Sequence, residues 1–225
     1  MNDSIPLSEK LYLLGIHPQK GGIISASYTA MDYVLLGTLF LELYLNGNIK
    51  FEEKRIIILN KNSKLGLHRF ILEKMGKAQK PLKISRWIDK LYFSLKYIRK
   101  GVRQNLVDER IIRMQEKRFL FFRWERPVLL QKQVIFNLLT DVEKAVFSGT
   151  TIEEEIMMLS FIKPAGLLKR IFPEKEKRKN ASQKLKQMLA KNQVSAAVAD
   201  AIAAAQAVTA SVAVLAAATS AATSS

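Results

Sequence analysis

The pattern of apolar and polar positions reads as mainly helical. Leu7–Gly15 places Leu11, Leu13 and Leu14 on a short helix with Ser8 near its N-cap, and Gly15 ends it. His17-Pro18 and Gly21-Gly22 mark a loop, and Ile23-Ile24 a short strand. Ala30–Leu45 is apolar almost all round, with Glu42 inside it, which predicts a helix buried in a core rather than one with a solvated face. Asn46-Gly47-Asn48 closes that helix. Two β-branched runs, Ile49–Phe51 and Ile56–Leu59, flank Glu52-Glu53-Lys54-Arg55 and predict a hairpin. A polar loop follows at Lys61–Lys64, then a helix over Leu65–Met75 that Gly76 stops.

Ile84, Trp87, Ile88, Leu91, Leu95 and Ile98 recur at spacings of three and four, which predicts an amphipathic helix over Ile84–Arg99. Gly101 separates it from a second helix, Val102–Ile112. Lys117–Trp124 reads as a strand centred on Phe119–Phe122, with its partner at Arg110–Gln115 or after Pro127. Val128–Phe147 is helical. Thr151 caps the next helix, with Glu153, Glu154 and Glu155 in its first turn. Pro164 and Gly166 break it, and Leu167–Phe172 is a short helix. The charged segment 174–193 is mobile or a solvated helix, and Val194–Ala222 is an Ala-rich closing helix. The expectation is one mainly α domain over residues 1–225, with one or two β-hairpins and a buried Ala-rich C-terminal helix.

Composition limits what such a domain does. With 225 residues, 48% of them hydrophobic, there is enough apolar surface for one sizeable core. The absence of cysteine excludes disulfides and thiolate metal sites and fits a reducing cytoplasm. Leu7–Ile16 is interrupted by Ser8, Glu9 and Lys10, so it does not read as a secretory signal. Ala201–Ser225 carries no charge and is long enough to span a bilayer. Its Ala, Ser, Thr and Val content, without an aromatic belt, favours a buried soluble helix. There is no phosphate loop, no GxGxxG and no HExxH. His17 and His68 stand in unrelated contexts and read as surface residues. The Glu153–Glu155 run reads as a partner for a helix dipole rather than a metal site. The expectation is a non-enzymatic protein without cofactor or metal.

Charge changes the picture most. Thirty-six Lys and Arg against 20 Asp and Glu give a formal +16, a surface that attracts polyanions. Basic residues cluster in Lys50–Lys83, in Lys96–Arg126 and around Lys169-Arg170. Lys96, Arg99, Lys100 and Arg103 recur at helical spacing, and no Asp or Glu lies between Lys90 and Asp108. On one helix they form a cationic stripe fit to close on a phosphate, Arg as a planar fork and Lys as a point charge. Tyr92, Phe93 and Tyr97 lie among them; such interleaving suits the stacking of bases, but at helical spacing it reads as core packing. Anionic membrane lipid and nucleic acid both match such a stripe, and charge alone does not choose between them.

The order of short motifs resembles the Golgi phosphoprotein 3-like family. Leu7-Ser8-Glu9-Lys10-Leu11-Tyr12-Leu13-Leu14-Gly15 resembles its opening helix. Leu39-Phe40-Leu41-Glu42-Leu43 with Gly47 and Ile49 resembles its core helix and turn. Trp87-Ile88-Asp89-Lys90-Leu91 and Gln104-Asn105-Leu106-Val107-Asp108 resemble two later motifs, and Ala213–Ser225 its closing helix. The resemblance implies a cytoplasmic peripheral membrane adaptor that binds phosphatidylinositol 4-phosphate through a basic pocket. Two pocket arginines of the family fall on Lys96 and Arg99, with Lys100 and Arg103 adjoining. The family's exposed tryptophan falls at Ser27, beside Tyr28, and a third basic pocket residue falls on Leu36. Lys117–Pro127 takes the place of a hairpin associated with oligomerisation, which puts Phe119, Phe121 and Trp124 at a contact with a second copy. The acidic, proline-bearing N-terminal extension of eukaryotic members has no counterpart here, so the chain resembles a compact, bacterial-type member. Nucleic acid remains the alternative partner.

Overall fold

The computed structural model describes residues 5–190 together with 202, 203, 206 and 207. In chain order the elements are α1 (Leu7–Gly15), α2 (Ser25–Tyr28), α3 (Met31–Leu45), β1 (Ile49–Glu52), β2 (Arg55–Ile58), α4 (Gly66–Gly76), β3 (Leu82–Lys83), α5 (Ile84–Leu91), a 3-10 turn at Tyr92–Ser94 and α6 (Leu95–Asp108). There follow β4 (Ile112–Phe119), β5 (Phe122–Leu129), α7 (Lys132–Ser148), α8 (Glu153–Ser160), α9 (Leu168–Ile171) and α10 (Lys175–Ala190). The described chain is thus mainly helical with two small antiparallel sheets.

Two helices form the centre. α1 is buried along its whole length, and α3 without interruption from Tyr33 to Leu43. Neither offers a polar face to water, so each is surrounded: α1 packs on α3, α6, α7, α8 and α9. α10 lies against α7, α8 and α9, with Ala181, Leu185 and Met188 buried.

Charge is buried at this centre. Pro6 stands at the N-cap of α1 and has no side-chain hydrogen-bonding group, so the first turn needs a cap from elsewhere. Glu42 of α3 supplies it: the Ser8 N–H donates to Glu42 Oε1 at 2.6 Å. Ser8 is therefore a capped amide rather than the N-cap. Glu42 Oε2 lies 2.6 Å from His68 Nε2 of α4. His68 is 1% exposed, so the surface position read from its sequence context is corrected; a carboxylate buried in α3 needs a polar partner, and α4 brings one. His17 stays in its loop, where Nδ1 accepts the N–H groups of Gln19 and Lys20. On α1, Glu9 Oε1 accepts from Asn105 Nδ2 of α6 at 2.9 Å, and Lys10 Nζ pairs with Glu154 Oε1 of α8 at 2.9 Å. Burial pushes the Glu9 carboxyl up to about 7, the Asn105 hydrogen bond opposes this, and Glu109 and Glu42 add to it.

Several boundaries differ from the sequence reading. The long helix over Ile84–Arg99 is broken at Tyr92–Ser94, and α6 runs through Gly101 without a stop. A Cβ at Gly101 would stand 2.6 Å from Leu67 Cδ2, so the glycine lets α4 approach α6 closely. Lys117–Trp124 is not one strand. It is the end of the β4–β5 hairpin, which turns at Leu120-Phe121 with Phe119 opposite Phe122. Register settles the partner, since Ile112 faces Leu129. Ile23 makes only an isolated bridge to Ile16. The first hairpin turns at Glu53-Lys54, both left-handed, and β3 adds an unforeseen third strand beside β2. Thr151 does not cap α8: Ile152 is the N-cap residue, and its N–H bonds Thr150 Oγ1.

The Ala-rich closing helix lies outside the described residues, save the helical Ile202, Ala203, Gln206 and Ala207. Ile202 is buried, and Gln206 Nε2 donates to the Ser160 carbonyl at 2.9 Å. Among the described residues no helix is long and apolar enough to cross a membrane.

Candidate functional site

α6 is amphipathic. Leu95, Ile98, Val102 and Leu106 are buried, and α6 packs on α1, α3 and α4. The four cations of the stripe lie off that buried row and divide into two pairs. Lys96 and Lys100 are exposed; Arg99 and Arg103 are half-buried. Arg99 Nε sits 3.3 Å from Asp32 Oδ1 at the start of α3. That oxygen makes no directed hydrogen bond, so the contact is an ion pair and little more. Burial raises the Asp32 carboxyl above its usual range and the Arg99 charge opposes the rise. The buried Tyr12 phenol is pushed up to about 12 by burial, with Arg103 and then Arg99 pulling the other way. Lys96, Lys100 and Arg103 have no ion-pair partner among the described residues.

The neighbouring positions fall as follows. Tyr28 ends α2 and is exposed. Ser27 is wholly buried with its Oγ unpartnered, and Leu36 is core. Among the described residues no group of three or more His, Cys, Asp or Glu is placed to hold a metal.

The β4–β5 hairpin leaves the C-terminal end of α6. Its base is held: the Gly22 N–H donates to the Pro127 carbonyl at 2.8 Å, and a Cβ at Gly21, where φ is +69°, would lie 2.7 Å from that oxygen. Beyond Arg126 the outer part of β5 is exposed, which at ~3.4 Å per residue projects the turn roughly 14 Å from the body. Phe121 is 97% exposed and Trp124 47%. The Phe119 side chain lies outside what the structure describes. Leu120 adopts φ 52°, a conformation that favours glycine, at the first position of a two-residue turn. Arg118 and Arg123 flank the tip, with Glu116 2.9 Å from Arg118 Nε.

A family model described as Golgi phosphoprotein 3 (GPP34) matches residues 7–205, from the capped helix α1 past α10. The chain belongs to the Golgi phosphoprotein 3 family. No curated protein matches it in a direct comparison of sequences. Membership of the Golgi phosphoprotein 3 family is consistent with a non-enzymatic adaptor. Two features of this member escaped the sequence reading. Asp32 opposes Arg99 from another helix, and no spacing along α6 announces it. Phe93 did carry a signal, since it lies off the row Leu91, Leu95, Ile98 that the core takes, yet its aromatic character suggested packing.

Proposed function

We propose that this chain is a non-enzymatic peripheral membrane adaptor of the cytoplasm. It docks on anionic phospholipid headgroups through the α6 stripe, and the rest of its single domain faces protein partners. The observation that carries the reading is that Lys96, Lys100 and Arg103 project from one helix with no counter-ion among the described residues. Near an anionic bilayer each basic residue contributes about 1 kcal/mol, so a stripe of this size supports reversible docking without an inserted helix. Phosphatidylinositol 4-phosphate is the headgroup that the family resemblance implies. With Ser27 and Leu36 buried where the family pocket has an aromatic and a base, the remaining groups recognise phosphate charge more than the inositol ring. The exposed Phe121 and Trp124 serve self-association through the hairpin.

Cosedimentation with phosphatidylcholine vesicles, plain or containing phosphatidylserine or phosphatidylinositol 4-phosphate, tests this. Binding should require the anionic lipid, and Lys96→Glu with Arg99→Glu should weaken it roughly ten- to a hundredfold, with helicity unchanged. Binding that survives the double reversal at physiological salt would place the site elsewhere. A gel shift with DNA or RNA, without any lipid dependence, would replace the adaptor by a nucleic-acid binder. Sedimentation velocity of Phe121→Ser reports the hairpin: an oligomer unaltered by it removes the tip from self-association.

A further inference from the structure

The 3-10 turn between α5 and α6 carries an aromatic cluster that neither the core nor the basic stripe uses. Phe93 is 91% exposed, and Tyr92 and Tyr97 are about half exposed. The Phe93 ring meets Tyr92 edge-on at 5.4 Å between centroids. One turn on, Tyr97 lies against Phe70 of α4 at 4.4 Å, and Lys74 Nζ stands 5.5 Å from the centre of the Phe70 ring. The exposed Lys90, Lys96 and Lys100 flank these rings in sequence, and the nearest acid in sequence, Asp89, is drawn toward Arg86 at 3.9 Å.

Lone exposed hydrophobics are ordinary, but a corner of three exposed rings on a segment whose exposed charges are mainly lysine is not. Its chemistry fits one environment, the headgroup layer of an anionic bilayer. There an aromatic ring reaches the acyl boundary, tyrosine hydroxyls stay wet and lysine stems lie along apolar surface with their ammonium groups at phosphate. We infer that this corner is a membrane anchor, with Phe93 as the point that enters the interfacial layer beside Lys96. The inference rests on the adaptor reading above and adds a second contact to it. β4 leaves the opposite end of α6, roughly 20 Å away along the helix, so the corner is distinct from the hairpin. It orients the docked molecule by fixing which end of α6 dips toward lipid.

The test uses Phe93→Trp in a Trp124→Phe background, with Trp124→Phe alone as reference; the remaining Trp87 is buried and its emission serves as a constant. Vesicles of phosphatidylcholine and phosphatidylserine, with and without doxyl-labelled lipid, are the probe. The inference expects the new indole to shift to the blue and to be quenched by doxyl lipid. It also expects Phe93→Ser to bind these vesicles roughly five- to tenfold more weakly, with an unchanged circular dichroism spectrum. Vesicle binding by the reference protein with an indole that stays water-exposed and unquenched overturns the anchor and leaves the adaptor standing. Failure of the reference protein to bind these vesicles overturns the anchor, and failure to bind vesicles of phosphatidylinositol 4-phosphate as well overturns the adaptor too. A blue shift already present without vesicles, and dependent on protein concentration, assigns the corner to a second copy of the chain and also overturns the anchor.

Discussion

The junction of α1, α3 and α4 and the two ends of α6 reverse the usual placement of residues in opposite senses. The junction buries Glu9, Lys10, Glu42 and His68, and the ends of α6 expose Phe93 and, on the adjoining hairpin, Phe121. Inside, nearly every charge has a partner on another helix, and those partners tie α1 to α3, α6 and α8, and α3 to α4. Outside, Phe93 meets only the half-exposed Tyr92, and Phe121 stands 97% exposed at the hairpin tip. Buried charge is tolerated when the fold satisfies it, and it then fixes which helices meet. Exposed aromatic surface gains little from the fold, which is why the proposals above assign it to binding.

The contrast breaks most sharply at Glu42. Glu42→Ala should strand both the Ser8 N–H and His68 and cost about 3–5 kcal/mol in urea unfolding, with the same m-value. A loss below about 1 kcal/mol would mean that water reaches the cluster. Glu9 gives a smaller effect that depends on pH. Its carboxyl stands near 7 in the fold against an ordinary 4.5, so the folded state holds the proton more tightly. That stabilisation is complete below the ordinary value and is lost as pH rises through about 7. Glu9→Gln, which keeps an acceptor for Asn105, should therefore gain about 1–3 kcal/mol over the parent on going from about pH 5 to about pH 8. Parallel stability curves for the two proteins would refute the buried, protonated Glu9. The smallest effect lies on the boundary between the regions. Asp32→Asn frees Arg99 and should tighten binding to phosphatidylserine vesicles roughly three- to fivefold; unchanged affinity would show that Asp32 does not compete with lipid phosphate.

Much of the architecture was legible because it rests on periodicity. The row Ile84–Ile98 is buried at every position named from its spacing, and α3 is enclosed as its all-round apolar pattern required. What escaped depends on pairs far apart in the chain. Gly101 looked like a helix stop because its near neighbours do not show Leu67 of α4. His68 looked solvent-facing because Glu42 lies on another helix. The hairpin tip looked like a strand centre because aromatic residues usually seek cover, whereas Leu120-Phe121 makes the turn itself. At the candidate site the cationic row was visible in the spacing of Lys96, Arg99, Lys100 and Arg103. Its division into an exposed and a half-buried pair comes from how α6 rolls against α1 and α3.

The capping of α1 by Glu42 also bears on the order in which the chain becomes ordered. A helix of nine residues is too short to hold itself together in water. Its cap is 34 residues downstream, and the histidine that completes the pair a further 26. During synthesis α1 therefore leaves the ribosome well before the groups that stabilise it exist. It gains its cap once α3 and α4 have followed, and the rest of its cover only with α6, α7, α8 and α9. The amides of α1 should accordingly exchange with solvent only through global unfolding, although they stand near the start of the sequence, where fraying is usual.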